Sequence, residues 1–118
     1  MTLRLSKGKT LGQLPLQALI HSATDFIANQ ADIYGESATC NDMPFRYDVG
    51  EGTEIVIWYI IHPFTWNQLA TVMRGLQLYI LDGKRYRAYH FEIGGLDSLD
   101  GYPWFGWGDI GLSVAGHT

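Results

Sequence analysis

The chain has 118 residues, 47% of them hydrophobic, 14% aromatic and only 17% charged, with a net charge of −4. That length suits one α+β domain over residues 1–118, able to bury roughly two-thirds of its unfolded surface without a metal or disulfide. Eight lysines and arginines, read as forming no run, give no cationic stripe for phosphates, so nucleic acid is set aside as a partner, and the acidity argues against anionic membranes.

Leu3 and Leu5 alternate with Thr2, Arg4 and Ser6, the twofold pattern of a short strand that Lys7-Gly8-Lys9 breaks. From Pro15 the period changes: Leu16, Leu19, Ile20, Ala23, Phe26, Ile27 and Gln30 share one helical face, which predicts a helix over 15–33 stopped at Gly35. Phe45, Tyr47 and Val49 alternate in a second strand, and Gly50-Glu51-Gly52 reads as a hairpin turn. The segment from Glu54 to Ile61 is apolar on both faces and predicts a central strand covered on both sides.

Pro63 ends that strand. Thr65-Trp66-Asn67-Gln68 has the form of a capping box and opens a helix expected over 65–81, halted by Asp82-Gly83. Arg85 to Ile93 returns to twofold alternation, with Tyr89, Phe91 and Ile93 on one face and Tyr86, His90 and Glu92 on the other. A glycine-rich aromatic loop is expected from Gly94 to Gly108, and a last strand over 109–115. The order β-α-β-β-α-β-β fits two helices on one face of a four- to five-stranded, mainly antiparallel sheet, a split βαβ (ferredoxin-like) variant with the last strand at an edge. A looser sandwich of two helices on one sheet, with another strand order, is the alternative.

Two groups of residues are the main candidates for function. His90 with Glu92 or Tyr86, on the sheet face away from the helices, has the make-up of a general base with an orienting carboxylate. Trp58 joins that face from the neighbouring strand, and as a surface it suits a second copy of the chain. Tyr102, Trp104, Phe105 and Trp107, on the aromatic loop, suit stacking on a sugar or burial in a protein partner.

The remaining residues carry less. His21, His62, His90 and His117 are scattered without ligand spacing, and Cys40, the sole cysteine, leaves no disulfide and no thiolate metal site. Cys40 is only a weak nucleophile candidate. Neither a phosphate-binding glycine loop nor a dinucleotide fingerprint is present, so no cofactor is expected. No apolar run of about 20 residues suggests a membrane span, and Met1–Leu5 lacks the apolar run of a secretory signal. The leading expectation is a small, non-enzymatic binding or protein-interaction domain that self-associates. A dimeric enzyme using His90 and Glu92 and a carbohydrate-binding module using Trp104 and Trp107 are the alternatives.

Phe64-Thr65-Trp66-Asn67-Gln68-Leu69, Val72, Arg74-Gly75-Leu76, Tyr79, Phe91-Glu92-Ile93 and Gly108-Asp109-Ile110-Gly111 together resemble a pattern in small uncharacterised fungal proteins, many predicted to be secreted. The resemblance spans about half the chain. It implies a strand-helix-strand core and an extracellular setting, and brings no catalytic residues with it.

Overall fold

The computed structural model describes residues 2–42, 44–50, 52–94 and 104–112. Five antiparallel strands form one sheet: β1 (Thr2–Thr10), β2 (Phe45–Asp48), β3 (Thr53–Tyr59), β4 (Arg87–Gly94) and β5 (Trp104–Leu112), in the order β1-β4-β5-β3-β2. Two helices, α1 (Gln13–Tyr34) and α2 (Trp66–Leu76), supply the other layer, and α2 runs on into a π-helical segment, Gln77–Asp82. The α+β class stands. The strand order differs from the split βαβ expectation, because β4 and β5 separate β1 from β3 and β5 lies inside the sheet rather than at its edge.

The core forms where the helical and twofold periods meet. Leu16, Leu19, Ile20, Ala23 and Ile27 of α1 and Leu69, Val72, Met73 and Leu76 of α2 pack on Ile55 and Ile57 of β3, Tyr89, Phe91 and Ile93 of β4 and Ile110 of β5. Phe26, expected in this stripe, is 37% exposed and packs at its rim against Phe45, Tyr47 and Trp66. Gly75 of α2 lies where a Cβ would press on the Leu3 side chain, so the glycine lets helix and β1 approach closely.

Local signals are realised in detail. Thr65 Oγ1 accepts from Gln68 N at 3.0 Å, and Gln68 Oε1 accepts from Thr65 N at 2.9 Å, closing the capping box. Gly35 ends α1 at φ 97°, and Gly50 and Gly52 take positive φ in the β2–β3 turn. Helix α1 begins two residues before Pro15, which still falls in the first turn, where its missing N–H costs nothing.

Three expectations need correction. Lys7-Gly8-Lys9 does not end β1: the strand continues to Thr10 through a register shift between Lys7 and Thr10, an accommodation that glycine favours. Strand β3 stops at Tyr59, leaving Ile60 and Ile61 exposed beyond it, although Thr53 to Ile57 is buried on both faces. Residues 104–108, expected in a loop, belong to β5. The glycines misled because they alternate with large residues on purpose: at Gly106 a Cβ would meet the Trp58 carbonyl and the Phe64 ring, and at Gly108 the Phe91 ring. Those rings fill the helix-side space that β5 leaves empty. Residues 113–115 of the expected last strand lie outside the described residues.

Candidate functional site

Alternation puts Glu54, Val56 and Trp58 of β3 on the face away from the helices, opposite in sense to Ile55 and Ile57. Strand register then carries rows of side chains across that face. One row runs Trp58, Trp107, Glu92, Arg4; the next runs Arg46, Val56, Asp109, His90, Ser6. A third holds Glu54 and Gly111, with Ala88 close enough to Gly111 and Gly8 that a Cβ on either glycine would touch it. These small residues leave a groove of about 430 Å³, walled by Arg46 and Glu54 on one flank and by His90 and Asp109 on the other.

The first row is aromatic. The rings of Trp58 and Trp107 stack with centroids 5.7 Å apart and planes 14° from parallel. Val56, facing the same way, is only 4% exposed, and Trp107 is 38% exposed. Ile60, 47% exposed, follows just past the strand end, where its N–H donates to Phe105 O at 3.1 Å. The expectation of an aromatic binding loop therefore becomes one of an aromatic strand. Trp107 and Trp58 share the surface, but Phe105 packs against the core instead. Tyr102 and the Trp104 side chain lie outside the described residues.

The second row holds the titratable pair. His90 Nδ1 sits 2.9 Å from Asp109 Oδ1, so the orienting carboxylate is Asp109 rather than the expected Glu92, which lies one row along beside Trp107. Tyr86 precedes β4 and packs partly against the core, so it does not join His90. His90 and Asp109 side chains are 44% and 55% exposed, and a pair so solvated contributes about 0.5 kcal/mol or less to stability. Ser6 is the register neighbour of His90, but no hydrogen bond joins them, so nucleophile and base are not coupled.

Arg46 Nε stands 3.7 Å from Glu54 Oε2, a pair in which the carboxylate is nearly buried and the guanidinium exposed. On this side Glu54 and Val56 are buried among their sheet neighbours while Trp58 is only half-buried, so the expected cover on both faces extends over part of β3. No group of three His, Cys, Asp or Glu suited to a metal occurs among the described residues. His21 and His62 are exposed on α1 and beyond β3, and His117 lies outside the described residues.

Cys40 is buried, its N–H donating to Phe64 O at 2.8 Å. Burial pushes its thiol above the usual value, which disfavours the thiolate a nucleophile needs. Asp109 is the residue that the sequence did not bring to His90. It is 19 positions away and becomes a partner only because β5 inserts beside β4, an event with no local signal.

No protein-family model, no curated protein and no solved structure matches this chain.

Proposed function

We propose that this is a small binding domain that self-associates through the helix-free face of its sheet. The observation that carries this reading is the Trp58–Trp107 stack, an apolar strip on a face no helix covers, with Trp107 38% exposed. Tryptophan pairs at the centre of a contact are the usual carriers of binding energy. The strip is bordered by groups that reject random apolar contact unless matched: His90 with Asp109, and Arg46 with Glu54. A twofold axis through the strip would stack the same residues from both copies, the self-complementary arrangement that symmetric dimers require.

Sedimentation equilibrium tests this. Wild-type protein is expected to dimerise, and Trp107→Ala to weaken the dimer at least about tenfold, roughly 1.4 kcal/mol. A wild-type protein that stays monomeric, or a Trp107→Ala variant that dimerises equally well, overturns it.

The second reading is hydrolytic, with His90 as base and Asp109 holding its ring, and the 2.9 Å contact favours it. Against it stand the shallow, solvated setting and the uncoupled Ser6. Sugar stacking is weaker still, since Trp58 already covers one face of Trp107. An extracellular setting belongs to this proposal through the fungal resemblance alone; localisation of a tagged full-length chain tests it.

A further inference from the structure

Eight lysines and arginines serve the whole chain, and Lys7, Lys84, Arg85 and Arg87 all line one surface depression of about 450 Å³. The expectation of no cationic cluster is thereby corrected. Lys84-Arg85-Tyr86-Arg87 supplies three of the four, and Lys7 arrives because β1 pairs with β4, placing Lys7 opposite Tyr89 and Thr10 opposite Arg87. Among the described residues, no acidic side chain lines the depression and none of the four cations pairs with a carboxylate. In a chain of net charge −4, four cations gathered on one patch raise a local positive potential that favours an anion there.

The backbone fixes them. The π-helical segment Gln77–Asp82 ends in a turn where Gly83 N donates to Leu78 O and Arg85 N to Ile80 O, at 3.1 and 2.8 Å. Within it Lys84 takes φ 54°, the one left-handed non-glycine residue among those described. Strained backbone and π-turns both concentrate at functional sites. Arg85 Nη1 donates to Tyr79 O at 3.1 Å while its guanidinium lies 4.5 Å over the Tyr79 ring. That position exists because Gly83 has no Cβ to collide with it. Arg87 Nη1 donates to Gly8 O at 3.3 Å. Each arginine is anchored through one N–H and keeps the rest of its five donors available.

We propose that this depression binds a small oligophosphate anion. One phosphoryl group carries about −1.5 to −2 at pH 7, so four cations balance about two such groups rather than one. The anchored guanidinium forks match phosphate oxygens in bidentate fashion, and Lys7 and Lys84 add point charges. A depression of this size lies in the range of small-molecule sites. The proposal stands apart from the self-association reading and uses neither tryptophan.

Isothermal titration calorimetry with sodium tripolyphosphate, alongside amide NMR mapping, tests it on the intact chain. Saturable one-to-one binding is expected, weaker at high than at low salt, weaker for orthophosphate, and centred on Lys7 and Lys84–Arg87. The double variant Lys84→Asn with Arg87→Gln should lose about tenfold or more in affinity, since each contact to a charged group is substantial; asparagine tolerates the left-handed turn. Lys7→Gln, at a side chain that makes no hydrogen bond among the described residues, should weaken binding severalfold even if the double variant fails to fold. No saturation up to about 5 mM at low salt, or unchanged affinity in Lys7→Gln and in a folded double variant, overturns the proposal. So does tighter binding to phosphatidylserine vesicles or to a single-stranded oligonucleotide than to tripolyphosphate, because either makes the ligand a surface or a polymer.

Discussion

Trp58 and Trp107 face each other directly across β3 and β5, their rings stacked 5.7 Å apart. Each owes its place to the twofold period: the residues beside Trp107, Gly106 and Gly108, turn toward the helices and carry no side chain there. Strand β5 thus presents an indole to the open face and emptiness to the core. Phe64 and Phe91 fill that emptiness. The stack should give a coupled indole band in circular dichroism that Trp58→Ala or Trp107→Ala abolishes while the amide NMR spectrum keeps the dispersion of the folded protein.

Filling the empty side should be costly. Gly108→Ala puts a methyl group against the Phe91 ring and the Val56 carbonyl, and overpacking of this kind costs about 1–3 kcal/mol. Gly35→Ala places its methyl in open space, so only its positive φ opposes the change. Urea unfolding should show both variants destabilised, Gly108→Ala by packing and Gly35→Ala by backbone strain; a neutral Gly108→Ala would mean that β5 does not pack as described.

The capping box should behave as a unit. Thr65→Ala removes the acceptor for Gln68 N and should cost about 1 kcal/mol. Adding Gln68→Ala to it should cost less than the sum of the two single changes, because both bonds close one turn. Denaturation of the four-member cycle measures this directly, and strict additivity would contradict it.

Stability should fall on the alkaline side. Burial raises the thiol of Cys40 above its usual 9.0 and the phenol of Tyr89 above its usual 10.0. Both groups are neutral when protonated, so the folded state holds these protons more tightly than the unfolded chain. Their contribution is complete below the unfolded values and is lost as pH climbs through the folded ones. Urea midpoints should therefore be flat in this respect up to about pH 8.5 and decline above it. Cys40→Ser should remove the lower part of that decline, and iodoacetamide should label Cys40 only in denaturant.

Much of this architecture is written locally. Leu16–Ile27, the Thr65–Gln68 box and the doubly apolar Ile55–Ile57 each carry their own period or cap, and each forms where that period puts it. Strand β5 was hidden because glycine at every second residue reads as a turn unless one knows that rings from Phe64 and Phe91 occupy the gaps. The site was hidden for a related reason. His90–Asp109 and the meeting of Lys7 with Lys84–Arg87 are products of strand order, and strand order is a long-range outcome. Lys84-Arg85-Tyr86-Arg87 is visible in the chain as three cations in four residues; what the chain alone does not display is that Lys7 joins them in a depression with no acidic side chain among its described lining.

The role given to the open sheet face is best tested by concentration-dependent amide and indole NMR shifts of the intact protein. On concentration, the account predicts progressive shifts at Val56, Trp58, Ile60, Glu92 and Trp107, including both indole N–H signals, with α1 and α2 silent. Shifts confined to the outer helix surface around Leu14, Ile33 or Leu78, or a spectrum that does not change with concentration at all, would contradict it.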